Sequence, residues 1–225
     1  MLTLGLTVLL LASPPTAHAD VIVKGKKAFT LERRHAPDKE GRPHIRSTFY
    51  DRDGKPALIM DARMRGDYPV QVHIQQLQSK ESGRIELSPG RVDFEVTTPN
   101  GAKETSQDDA LGIIFVGPAL TNWMVTDGPW RRLVAGETVS FKVAAWRRMS
   151  TYSFELERHE SSDDKTLVLT MAPSNIIYQA FAKQMRYAFD LKTRRMLRYS
   201  GLTALKMPDD DGDLEDVVAE IVFRR

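Results

Sequence analysis

The feature that most constrains this chain is a period-two rhythm, interrupted every few positions by turn residues. Val70, Val72 and Ile74 alternate with Gln71, His73 and Gln75. Leu58, Met60, Ala62 and Met64 share one phase, as do Ile45, Ser47 and Phe49, then Val92, Phe94 and Val96. Successive side chains of a strand point to opposite faces, so this pattern predicts half-buried antiparallel strands. Phe29 and Leu31 open the series on a first strand that Arg33 and Arg34 close, and residues 35–44 (HAPDKEGRPH) read as a polar loop. Asp51-Arg52-Asp53-Gly54, Gly66-Asp67-Tyr68-Pro69, Pro89-Gly90 and Pro99-Asn100-Gly101 supply turn chemistry between runs. Asp bonds its own backbone there, and Gly provides a positive φ. An antiparallel meander is the simplest account.

Residues 111–156 hold all three tryptophans, Trp123, Trp130 and Trp146, and nucleate the expected core, because large aromatics remove the most area from water. Leu111 and Ile113 to Val116 are apolar in both phases and are expected to be buried. Pro118 can start a short helix carrying Leu120, Trp123 and Met124, which Gly128-Pro129 is expected to end. Val139, Phe141, Val143 and Ala145 then face Tyr152, Phe154 and Leu156 across a hairpin. Further strands are predicted over residues 166–171, 187–191, 195–200 and 217–223. Pro173-Ser174-Asn175 offers an N-cap for a second short helix over residues 176–183. With no internal repeat or linker, the expectation is mainly β: a single antiparallel curled sheet or half-open barrel with two short helices. The 225 residues, 41% hydrophobic and 28% charged, suffice for one core.

The first nineteen residues, MLTLGLTVLLLASPPTAHA, read as a signal peptide. Residues 2–12 form an apolar run too short to span a bilayer. Ala17-His18-Ala19 matches the A-x-A pattern of signal peptidase, so residues 20–225 would form the mature antiparallel β domain. No Lys or Arg precedes the apolar run; only the free amine does. A lipid anchor needs a cysteine at the new N-terminus, where Asp20 stands instead. The chain has no cysteine at all, which excludes disulfides, thiol catalysis and thiolate metal sites. The periplasm is the expected compartment.

Thirty-two basic residues balance 30 acidic ones, for a net charge of +2, and the two signs are mixed along the chain. No nucleic-acid partner is indicated. There is no G-x-S-x-G and no phosphate-cradling glycine loop. His35 and His44 could meet across their loop but match no metal-site spacing; His73 lies on the polar phase of its strand. Asp209, Asp211 and Asp213 alternate as oxygen ligands of calcium do, yet Gly212 falls at the wrong position for an EF-hand, and an acidic hairpin turn is the better reading. No cofactor is implied. Trp130-Arg131-Arg132 and Trp146-Arg147-Arg148 pair a cation with an aromatic, which suits either an anionic amphiphile or internal stacking.

The Tyr50-Asp51-x-Asp53-Gly54 hairpin, the PALTNW…LVAGETVSF segment, the closing hairpin and the leader resemble uncharacterised exported β-proteins of Gram-negative bacteria. Those in turn are similar to the half-open barrels of lipoprotein carriers. The resemblance implies a sheet curled around helices with an apolar concavity, and it carries over no functional residue. The resulting expectation is a non-enzymatic periplasmic protein that binds a lipid or other apolar or amphiphilic envelope molecule. Trp123, Phe141, Trp146, Tyr152 and Phe154 are the candidate ligand-binding residues. The alternatives are a structural or protein-interaction partner in the envelope, and a hydrolase using a His–carboxylate site.

Overall fold

Hairpin turns written into the sequence set the architecture. At residues 51–55 the Asp51 carboxylate accepts hydrogen bonds from the amides of Asp53 (2.9 Å) and Lys55 (2.8 Å). Gly54 takes the positive φ (+77°) that lets the chain reverse. The computed structural model describes residues 16–175 and 185–224. Its first half is β1 (Ala17–Val23), β2 (Lys26–Pro37), β3 (Pro43–Tyr50), β4 (Pro56–Arg65), β5 (Tyr68–Gln76), β6 (Glu81–Ser88), β7 (Gly90–Thr97) and β8 (Lys103–Ala110). A two-residue strand β9 (Ile114–Phe115) leads into helices α1 (Pro118–Met124) and α2 (Asp127–Val134). The rest is β10 (Val139–Ala145), β11 (Ser150–Arg158), β12 (Thr166–Pro173), β13 (Met185–Asp190), β14 (Met196–Pro208) and β15 (Leu214–Phe223).

All fifteen strands join one sheet in the order β8-β7-β6-β5-β4-β3-β2-β1-β15-β14-β13-β12-β11-β10-β9. Every pairing is antiparallel except the short β9–β10 contact. The two meanders are joined where β1 lies between β2 and β15, with Val21 opposite Phe29 on one side and Ile221 on the other. The sheet does not close by a ladder, and it curls so that side chains bridge its far parts. From the end of β5, the Gln76 amide donates to the Ala204 carbonyl (2.7 Å) and the Gln78 amide to that of Lys206 (2.9 Å), both on β14. The Asp108 carboxylate of β8 accepts from the Thr151 amide (2.7 Å) and from both the Thr151 and Ser150 hydroxyls of β11.

One phase of each strand faces the concave side, where the core sits; Leu31, Leu58, Val72, Ile85 and Leu167 are almost wholly buried there. The helices lie inside the curl, α1 against β3, β4 and β5, and α2 against β10 and β11. Trp123 of α1 packs between Phe115 (4.5 Å between ring centroids) and Phe141 (5.8 Å), and Trp130 of α2 meets Phe189 edge-on (5.9 Å). No described helix is long and apolar enough to cross a membrane.

The curled antiparallel sheet with two short helices is as the alternation predicts, but several details differ. Gly128-Pro129 does not end the helical segment; it lies in the first turn of α2, where Thr126 precedes Asp127 and proline is tolerated. Leu111 and Ile113 are exposed (70% and 36%), and only Ile114, Phe115 and Val116 are buried. The expected loop over residues 35–44 is shorter: β2 and β3 stay paired out to Pro37 and Pro43. Strand β8 reads KETSQDDA and offers no apolar phase to detect. The helix expected over residues 176–183 lies outside the described residues.

Candidate functional site

On β2 the concave phase runs Phe29, Leu31, Arg33, His35, so an arginine takes a position that the alternation reserves for an apolar side chain. Register places Arg33 between Ala17 of β1 and Ser47 of β3. Its Nε donates to the Ser47 hydroxyl (3.0 Å) and its Nη1 to the Thr121 hydroxyl of α1 (2.8 Å). The Phe223 ring lies 5.8 Å from the guanidinium carbon. Both hydrogen-bond partners are neutral, and no described Asp or Glu pairs with Arg33. Arg33 is half-buried at the edge of a hollow, and desolvation of its guanidinium lowers its pKa to about 10.

That hollow is a cavity of about 640 Å³ at one end of the concave face. Its apolar wall is Phe189, Phe223, Met196, Val125 and Ala17. Its polar lining contains Arg33, Arg194, Arg195, Arg224, His18 and His35, and no described acid. Two of these arginines are neutralised from outside: Arg194 by Asp127 (2.7 Å) and Arg224 by Asp20 (2.6 Å). Asp20 also holds Lys27 (2.7 Å), and the hydrogen bonds from Arg224 and Lys27 keep its carboxyl below the usual range. Arg195 donates weakly to the Arg224 carbonyl (3.4 Å) and has no described carboxylate partner. Burial, helped by Arg33, pushes the His35 pKa down, so this imidazole is neutral near pH 7. The cavity therefore carries two uncompensated positive charges, Arg33 within and Arg195 at its exposed rim, beside an apolar wall. Such a volume and lining suit a small amphiphilic molecule.

The five aromatics singled out in the sequence do not line this cavity. Trp123 and Phe141 are buried in the cluster with Phe115, and Phe154 stacks on Phe141 at 6.2 Å between centroids. Tyr152 is half-buried opposite Val143. Trp146 opens a 3-10 turn between β10 and β11 and lies on Gly83 of β6. Its neighbour Arg147 stacks over the indole at 4.5 Å and pairs with Glu81 (3.1 Å) and Asp216 (3.0 Å). The residues that do form the cavity were missed, although Arg33 carried a signal: it shares the strand phase of Phe29 and Leu31.

The strongest His–carboxylate pair is on the opposite, convex face. His44 Nε2 lies 3.2 Å from Asp61 Oδ1, and His73 faces Asp61 across β4 and β5. Burial lowers the His73 pKa, with Arg84 adding to the effect. The surrounding hollow is about 200 Å³, and among the described residues no serine or threonine lines it. His35 and His44 project from opposite faces of the sheet and do not converge. The Asp209 carboxylate is spent on its own turn, accepting from the amides of Asp211 (3.0 Å) and Asp213 (2.9 Å) at the tip of the β14–β15 hairpin. No group of three or more metal-ligating side chains gathers among the described residues. Compared with known proteins, the chain matches no family model, no curated protein and no solved structure.

Proposed function

We propose that this is a non-enzymatic periplasmic protein that binds an apolar or amphiphilic small molecule of the cell envelope in the Arg33 cavity. The observation that carries the reading is the cavity itself: about 640 Å³ on the concave face, with Phe189, Phe223 and Met196 on one side and arginines on the other. Concave, largely apolar hollows with a few oriented polar groups are where small ligands bind. A hydrolase reading rests on His44 and Asp61, which occupy a smaller, polar hollow without an apolar wall. The leader supports export. A cut after Ala19 would remove Thr16, Ala17 and His18 from the cavity wall and begin β1 at Asp20.

Two measurements test this. Intact-mass analysis of the native protein should show Asp20 as the first residue; a retained Met1 would end the export claim. Titration with the neutral dye N-phenyl-1-naphthylamine should saturate at one site, and organic extraction of the native protein should release a lipid. If the dye finds no saturable site and nothing is extracted, the protein is an interaction partner within the envelope instead.

A further inference from the structure

We infer that the ligand of this cavity is an anion, a carboxylate or phosphate ester whose oxygens pair with Arg33 while its apolar part lies along Phe189 and Phe223. The inference deepens the amphiphile reading and rests on it for the location of the site. It stands on three features of the geometry.

First, a guanidinium has five N–H donors in a planar fork. Ser47 and Thr121 take one from Nε and one from Nη1, leaving the Nη2 pair and the second Nη1 hydrogen. The two Nη2 hydrogens point to the end and to the side of the fork, where they can donate to the oxygens of a carboxylate or phosphate. The two hydroxyls thus hold the group by Nε and Nη1, and Nη2 has no partner among the described residues.

Second, the charge has no carboxylate partner among the described residues. The nearby acids are committed elsewhere: Asp20 to Arg224 and Lys27, Asp127 to Arg194. Hydroxyls satisfy hydrogen-bonding capacity but not charge, and an uncompensated buried charge is costly. A neutral ligand would leave that cost in place. An anion removes it.

Third, the sign of the whole lining is uniform. The chain has nearly as many acids as bases, yet no described acid lines the cavity while four arginines do. Arg195, exposed at the rim, adds the second unpaired cation and favours entry of an anion from solvent.

Calorimetric titration of the purified protein with decanoate, decanol, decyl phosphate and inorganic phosphate separates head from tail. Decanoate and decyl phosphate should bind at least tenfold more tightly than decanol. Arg33→Gln should reduce decanoate affinity at least tenfold and leave decanol unchanged. Arg195→Glu, at an exposed position that does not threaten folding, should weaken decanoate severalfold and also leave decanol unchanged; it carries the test should Arg33→Gln not fold. Decanol binding as tightly as decanoate would overturn the inference while leaving the amphiphile reading intact. Inorganic phosphate matching decyl phosphate, with both lost in the Arg33 variant, would keep the anion and overturn the amphiphile. Failure of all four probes would overturn both.

Discussion

Gly83 and Trp146 form a contact whose energetics can be worked out from the geometry. A Cβ built on Gly83 would lie 2.6 Å from Trp146 Cε3, 3.2 Å from Cδ2 and 3.4 Å from the Trp146 Cβ. The atoms it meets belong to a rigid ring and not to a flexible tip. The indole cannot slide aside freely, because Arg147 stacks on it and is itself tied to Glu81 and Asp216. Overpacking of this kind costs about 1–3 kcal/mol, offset by roughly 0.5–1 kcal/mol because alanine is better than glycine within a strand. Gly83→Ala should therefore destabilise the protein by up to about 2.5 kcal/mol. Trp146 is 8% exposed, so Trp146→Ala should cost about 3–5 kcal/mol by emptying its site. In that background the obstacle is gone and only the strand preference remains, so Gly83→Ala should become neutral or stabilising by up to about 1 kcal/mol. The resulting coupling is about 1–3 kcal/mol. Urea unfolding followed by far-UV circular dichroism reads it without relying on the fluorophore being deleted. If Gly83→Ala costs the same with and without the indole, the packing of the β10–β11 turn onto β6 is not as described.

Two further perturbations test how the sheet is held in its curl. Four hydrogen bonds, led by the one from the Thr151 amide, keep the Asp108 carboxyl near a pKa of about 2 against an ordinary 3.8. A lowered folded-state pKa means that the stabilisation is complete above pH 4 and is lost as pH falls towards 2. Asp108→Asn should thus cost about 1–2 kcal/mol at pH 7, discounted for partial exposure, and the gap to the parent should close between pH 4 and 2; a pH-independent gap would refute the assignment. Gln76 is wholly buried and bonds both the Ala204 carbonyl and the Gln78 backbone amide, so Gln76→Leu should cost about 2–3 kcal/mol by leaving two half-buried polar groups unpaired. A urea midpoint unchanged by that substitution would show that the bridge from β5 to β14 contributes nothing.

The sheet was legible because it is built from local rules. Alternation reports which strands have one wet face, and Asp-Gly or Pro-Gly pairs report where they reverse. Legibility failed where burial and polarity part company. β8 carries no apolar phase, because it is an edge strand held by Asp108 and not by a packed face. Leu111 and Ile113 look like core by composition but lie outside it. The five aromatics were nominated as ligand contacts because large rings are easy to see; four of them contribute instead to the packing around α1 and to the seat on β6. The cavity gathers residues 16–18, 33, 121, 189, 195 and 223 from far-apart stretches, and only the curl of the sheet brings them together.

Arg33 shows how little sequence is needed to put a cation at a core position. Replacing one apolar residue in the phase Phe29, Leu31, position 33 leaves the strand pairing intact, since the backbone ladder does not depend on the side chain. The neighbours that receive it are small and hydroxylic: Ser47 opposite on β3 accepts from Nε, and Thr121 on α1 accepts from Nη1. A chain selected for core packing alone would place leucine at 33 and have no use for a buried hydroxyl at 47, where Ser47 is 1% exposed. The arrangement occupies two of the five donors and leaves the cation unneutralised, which lowers the stability of the empty protein relative to an apolar core. On the proposed reading an anion reverses that loss on binding, so occupancy and stability are linked, and the ligated protein unfolds less readily in proportion to ligand excess over its dissociation constant. The same charge that weakens the core thereby becomes the source of the site's selectivity.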